Sequence, residues 1–149
     1  MTIAEALIDL AEHVTENVDG AVTSHEMSKG ELVLHAKADQ ICKVLQFLRD
    51  DIECQFKMLV CISGVDYPDR PERFEIVYNL LSLTQNDRVR VKINAAENQL
   101  VPTVTKIFSS AGWFEREIWD RKDAINYFID KGELYKAEII KDLSDSEEI

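Results

Sequence analysis

Two stretches of period-two alternation, four residues apart, constrain this chain more than any other feature. From Arg73 to Leu83, Phe74, Ile76, Tyr78 and Leu80 alternate with Glu75, Val77 and Asn79; from Arg88 to Asn94, Val89, Val91 and Ile93 alternate with Arg88, Arg90 and Lys92. Successive side chains of a strand point to opposite faces, so each stretch reads as a strand with one buried face. Thr84 to Asp87 reads as the hairpin turn between them. A sheet that is apolar on one face has to be covered, and the rest of the chain must supply the cover.

Thr2 and Glu5 have capping-box spacing, and Ile3, Leu7, Leu10, Ala11 and Val14 share one helical face, which predicts an opening amphipathic helix ended by Asn17 to Gly20. AVTSHEM and ELVLHA, around Ser28-Lys29-Gly30, read as a hairpin. After Asp39, the stripe Ile41, Val44, Leu45 and Leu48 predicts a second helix. Lys57 to Val65 is an apolar run that suits a central strand, and Val101-Pro102-Thr103 is read as the start of a short helix through Phe108. Helix, two strands, helix and three strands give an α+β fold, a two-layer sandwich of helices on one face of a mixed sheet.

Several function classes are disfavoured. The net charge is −11, residues 57–120 are nearly balanced, and no long basic block exists to displace phosphate counterions, so neither nucleic acid nor an anionic membrane surface is expected as a partner. The start MTIAEALIDLAEHV lacks a basic leader and cleavage site, and no apolar run reaches the ~20 residues of a membrane helix, so no direct membrane insertion is expected. Cys42, Cys54 and Cys61 fit neither a disulfide framework nor paired metal spacing, and read as reduced structural thiols.

His13, His25 and His35 invite a metal reading. A two-residue hairpin turn sets His25 opposite Leu34, a three-residue turn sets it opposite Val33, and neither pairs it with His35. Neutral or partly exposed histidines are the simpler reading. No Gly-rich phosphate loop, nucleophile elbow, CxxC or HExxH is present, so no catalytic residue, cofactor site or metal site is assigned.

Two segments stand out as interaction surfaces. Pro68 and Pro71 stiffen an extended loop that displays Asp66, Tyr67, Asp69, Arg70 and Arg73. In AGWFEREIWD, Glu115 and Glu117 look like a catalytic pair, but two residues on a helix are about 200° apart, so they cannot share a substrate. Arg116 and Asp120 are spaced to pair, and Trp113, Phe114 and Trp119 are more aromatic surface than one short helix can hide. The row Arg88, Arg90 and Lys92 is either a solvated sheet face or a rim for an acidic partner.

GVDYPDRPERFEIVYNLLSL, RVRVK, VPTVTKIF and AGWFEREIWD, in this order, resemble the C subunit of the proton-pumping NADH:quinone oxidoreductase, respiratory complex I, over about residues 1–120. The resemblance implies a non-catalytic, cofactor-free member of the hydrophilic arm with an α+β fold, beside the large subunit that helps form the quinone site. NADH, FMN, iron–sulfur clusters and quinone then belong to partner subunits. The location implied is peripheral, on the cytoplasmic side of a bacterial inner membrane or the matrix side in a mitochondrion. The family's motif falls on Trp113, Glu115, Arg116, Glu117 and Asp120, and on Asp66, Tyr67, Pro68, Arg73 and Tyr78; with Arg70, all but Tyr78 are the interface candidates.

The likeness stops at Asp120. Family members continue with a hydrophobic residue, an aromatic and a glycine before a long tail, whereas this chain reads RKDAINYFIDKGELYKAEIIKDLSDSEEI. Ile125, Phe128 and Ile129 predict one helix, and Tyr135, Ile139 and Leu143 another. The expected organisation is a domain over 1–112, a motif helix over 113–120 and a divergent acidic helical tail over 121–149. Alternative readings are the equivalent member of a related membrane-bound hydrogenase or dehydrogenase complex, and a stand-alone acidic binding module.

Overall fold

The computed structural model describes residues 2–96, 101–120, 128–130 and 133–134. Helix α1 spans Ile3–Asn17, strands β1 and β2 Val22–Ser28 and Glu31–Ala36, and helix α2 Ile41–Asp50. Strands β3, β4 and β5 run Met58–Asp66, Phe74–Ser82 and Asp87–Ala95. After the short β6, Val101–Pro102, comes α3, Ala111–Asp120, and then β7, Phe128–Asp130, and β8, Glu133–Leu134. The fold is α+β, and its main sheet has the order β1-β2-β5-β4-β3. That sheet is mixed, because β2 and β5 lie parallel while the other neighbours are antiparallel.

The alternating stretches pair as their pattern requires. Ile76, Tyr78 and Leu80 stand opposite Ile93, Val91 and Val89 on the core face, and Leu32 and Leu34 extend that face through β2. Leu7, Ala11 and Val14 of α1 and Ile41, Val44, Leu45 and Leu48 of α2 close over it, all buried. The capping box forms, with Glu5 N donating to Thr2 Oγ1 at 3.1 Å and Thr2 N donating to Glu5 Oε2 at 3.1 Å. Ile3, predicted on the buried face, is 79% exposed because it opens the first turn ahead of the packed stripe.

Ser28 pairs with Glu31, so Lys29 and Gly30 alone make the hairpin turn, with φ of 52° and 81°. Positive φ at both positions matches the turn twist to that of the strands. His25 therefore stands opposite Leu34, and His35 lies on the opposite face, where its Nε2 is 3.2 Å from Glu26 Oε1.

Three expectations need correction. The apolar run Lys57 to Val65 does not form a central strand: β3 is an edge, exposed at Met58, Val60 and Val65, with a register shift between Leu59 and Cys61. Bulges and alternating exposure are ways in which an edge strand avoids unwanted pairing. Val101 and Pro102 form no helix but pair with Phe128 and Ile129 in parallel, and Val104 to Phe108 makes one turn closed by Phe108 N donating to Val104 O at 2.9 Å. Phe128 and Ile129, predicted helical, are thus extended, a confusion to which short apolar runs are prone. Residues 121–127 and 135–149, which carry the rest of the predicted tail helices, lie outside the described residues.

Candidate functional site

Helix α3 starts at Ala111, two residues ahead of the motif helix read from the sequence, and packs on the core face of β3. Ile118 is buried over Gly64: a Cβ on that glycine would lie 3.7 Å from Ile118 Cγ2. That is an ordinary van der Waals separation, so Ile118 sits directly over the strand backbone at this point. Phe114 is a partly buried side chain packed against the core.

Glu115 is fully buried, while Glu117 is exposed, as the 200° rotation between them requires. Thr103 Oγ1 donates to Glu115 Oε2 at 2.5 Å, and Val104 N donates to Glu115 Oε1 at 2.8 Å. Bonds to a carboxylate are the short and strong ones, so Glu115 fastens α3 to the segment leading into it. Cys42 Sγ of α2 donates to Thr103 O at 3.3 Å, which ties the second helix into the same knot. Tyr78, a family-motif position, is fully buried beside these groups; burial first, and then the charges of Glu115 and Cys42, push its hydroxyl well above the ordinary tyrosine range.

Tyr78 Oη has no hydrogen-bond partner among the described residues. An unpartnered buried hydroxyl costs desolvation without return. Tyr78→Phe is therefore expected to leave folding stability unchanged or raise it by up to about 1 kcal/mol, read as an unaltered or higher urea midpoint.

The outer side of α3 is different. Trp113 is 77% exposed, and the Arg116 guanidinium carbon lies 6.0 Å from its ring centroid, at the limit of cation–π reach. Glu117, one turn on from Trp113, is also exposed. Of the motif residues predicted as an interface, Trp113 and Glu117 thus reach the surface, Arg116 is half-buried with its Nε shielded from solvent, and Glu115 is turned inward. Asp120 ends the helix, and its side chain lies outside the described residues, as does the predicted Arg116–Asp120 pair.

The second segment, from Asp66 to Arg73, joins β3 to β4 two residues beyond Gly64. Arg73 Nε and Nη2 donate to Asp66 Oδ1 and Oδ2 at 2.7 and 2.8 Å, a bidentate pair at the base of the loop. Tyr67 N donates to Arg73 O at 2.7 Å beneath it. Arg70 stacks on Tyr67, its guanidinium carbon 3.7 Å from the ring centroid, and reaches Glu75 at 3.6 Å. Pro68 is exposed at the tip. The loop is braced from within, so its exposed groups are displayed with little freedom left to lose on binding.

The Arg73 hydrogen bonds hold the Asp66 carboxyl below its ordinary range, against a smaller opposing effect of burial. A depressed folded pKa means that this pair stabilises the fold above the unfolded value of about 3.9 and that its contribution fades as pH falls through the folded value. In Arg73→Gln, a carboxyl NMR titration of Asp66 is expected to show a midpoint shifted up toward about 4. An unchanged midpoint would mean that Arg73 does not set it.

Of the basic row on the open sheet face, Arg90 pairs with Glu31 at 2.8 Å and Lys92 with Glu75 at 3.5 Å, while Arg88 is exposed. Two of the three charges are therefore answered inside the chain, which weakens the reading of this row as a rim for an acidic partner. Thr103, Val104 and Glu75 hold these surfaces in place but carry no spacing signal that sequence reading could have used.

Residues 34–121 match the family described as respiratory-chain NADH dehydrogenase, 30 Kd subunit. The C subunit of the NADH-quinone oxidoreductase of Azorhizobium caulinodans is 54% identical over 116 residues, 78% of this chain and 55% of that protein. The C subunit from Rhodospirillum rubrum is 53% identical over 116 residues, covering 78% and 54%, and that from Paramagnetospirillum magneticum 50% over 119 residues, covering 79% and 60%. The chain thus spans somewhat over half the length of these relatives. Among solved structures, the membrane-bound sulfane sulfur reductase, an archaeal respiratory membrane complex, aligns with a TM-score of 0.68 at 22% identity, over 85% of this chain and 71% of that one. At that identity the likeness concerns the fold alone.

Proposed function

Since the chain belongs to the family of the 30 Kd subunit of respiratory-chain NADH dehydrogenase, we propose that it serves as a non-catalytic structural subunit of the hydrophilic arm of an NADH:quinone oxidoreductase. The observation that carries this reading is the division of α3: Glu115 and Ile118 lock one side into the core, while Trp113 is left 77% exposed on the other. A large aromatic held out by a rigid element is the usual make-up of a binding hot spot. The braced Asp66–Arg73 loop, at the same end of β3, is the second contact in this proposal.

In this role the chain carries no electrons. NADH, FMN, iron–sulfur clusters and quinone are bound by neighbours, and the complex couples electron transfer to proton translocation. The partners are other arm subunits, chiefly the large quinone-site subunit, and the chain lies peripherally on the cytoplasmic side of a bacterial inner membrane, or the matrix side of a mitochondrial one. No helix among the described residues is long and apolar enough to cross a membrane.

The test is assembly in the chain's own cells. A tagged chain is expected to co-migrate on a native gel with the arm subunits and with NADH dehydrogenase activity. Recovery solely as a free monomer, with the oxidoreductase assembled without it, would overturn the proposal.

A further inference from the structure

Away from α3 and the Asp66–Arg73 loop, three different metal-ligating groups meet where α1 passes the end of α2. His13 Nε2, a carboxylate oxygen of Asp51 and Cys54 Sγ all lie within 4.8 Å of one another. His13 Nε2 is 2.9 Å from Asp51 Oδ2 and 3.2 Å from Glu53 Oε2. A four-coordinate ion with bonds of about 2.0–2.1 Å to nitrogen and oxygen sets its ligand atoms roughly 3.3 Å apart. His13 Nε2 therefore already stands close to a tetrahedral edge distance from each carboxylate, while Glu53, 67% exposed and outside the group of three, has to swing toward Asp51 and Cys54 to join them.

We propose that His13, Asp51, Glu53 and Cys54 form a binding site for one divalent transition-metal ion of the zinc class. The mixed nitrogen, oxygen and sulfur set suits such an ion and does not suit magnesium or calcium, which take oxygen ligands. With His13 neutral, the two carboxylates and a thiolate leave the occupied site with one net negative charge. Once Glu53 swings in beside His13, Asp51 and Cys54, the four ligands fill a tetrahedron.

The scaffold is stiff. Asp51 is the C-cap of α2, and its carbonyl accepts from Cys54 N at 3.1 Å and Gln55 N at 2.9 Å, so one tight turn delivers three of the four ligands. Glu53 N donates to Asp51 Oδ2 at 3.1 Å, which fixes the carboxylate. The His13 ring rests against Phe47, with centroids 5.6 Å apart. Asp51 also lines an open groove with Asn17, Lys43, Phe47 and Asp50, through which an ion can enter.

Two adjustments accompany binding. Without metal, His13 Nε2 serves as the proton donor to the carboxylates, with Asn17 Nδ2 3.4 Å from Nδ1; the cation replaces that proton, and the ring proton moves to Nδ1. Asn17 is exposed, and turning its carbonyl toward Nδ1 exchanges the 2.7 Å bond that its Nδ2 donates to His13 O. Cys54 is buried, and that burial, followed by the charges of Asp51 and Glu53, pushes its thiol up to about 12. The metal must therefore displace the thiol proton, which passes to solvent, and form a metal–sulfur bond in its place.

Cobalt(II) added to the metal-free full chain is the probe. One equivalent is expected to give a thiolate-to-cobalt charge-transfer band in the near ultraviolet with the intense visible bands of a four-coordinate ion, bleached by zinc(II) and unaffected by excess magnesium. The charge-transfer band should vanish in Cys54→Ser and persist in Cys42→Ser and Cys61→Ser. His13→Gln, at a partly exposed position, guards against a serine variant that fails to fold: it should weaken cobalt binding at least tenfold while circular dichroism stays unchanged. Absence of the band in the unmodified chain, its persistence in folded Cys54→Ser, or unchanged affinity in His13→Gln would overturn the site.

Discussion

Glu115→Ala is expected to lower folding stability by about 3 kcal/mol, because it strands the Val104 N–H in the interior and leaves the Thr103 hydroxyl only its longer bond to Thr105 Oγ1 at 3.2 Å. For a chain of this size that is a fall in Tm of roughly 6–12 °C. Urea unfolding should show an earlier midpoint at an unchanged slope, the mark of a change in stability without a change in the surface exposed. Glu115→Gln keeps a carbonyl acceptor for one of the two donors and should lose less. A loss below about 1 kcal/mol in the alanine variant would show that the two bonds do not hold α3 in place.

Trp113→Ala is expected to behave in the opposite way. The side chain is 77% exposed, so its removal should move stability by no more than about 0.5 kcal/mol. Affinity for the rest of the arm should fall about 30-fold or more, the loss that defines a hot-spot residue. Quantifying the variant in assembled complex against free chain on native gels measures this. If Trp113→Ala assembles normally, the exposed side of α3 is not the contact; if it unfolds, Trp113 belongs to the core. With Glu115→Ala, the pair separates two functions of one ten-residue helix.

The sheet was legible because period two leaves few choices. Once Phe74, Ile76, Tyr78 and Leu80 must share a face, a one-residue slip would put all of them in water, and the pairing with Val89, Val91 and Ile93 follows. The stripe Ile41, Val44, Leu45 and Leu48 was legible for the same reason at helical spacing, and all four are buried. The candidate site was legible in part: helix geometry forbids Glu115 and Glu117 from facing one way. The direction each would take was not, because the side of α3 that docks is decided by Ile118 packing over Gly64 of β3 and Phe114 packing against the core.

Other features left no trace in local pattern. A run such as Lys57 to Val65 says that side chains are apolar and nothing about which strands lie beside it, so an edge strand looked central. Val101-Pro102 and Phe128-Ile129 each suggested helix, whereas a pairing across some 27 residues makes both extended. His13 and Cys54 are 41 positions apart and meet only because α1 crosses the end of α2. No spacing rule joins residues that distant.

Sequence by itself determined the α+β class, the faces of α1, α2, β4 and β5, and the membership of the motif segments in one family, because each of these is written in short-range periodicity or in residues that recur in order. Tertiary structure alone decided that Glu115 is an internal fastener and that Trp113 faces outward, that β3 is an edge, and that His13 stands among Asp51, Glu53 and Cys54. Those outcomes depend on which surfaces exclude water from one another when distant elements pack. Burial is a property of the assembled fold and not of any one segment.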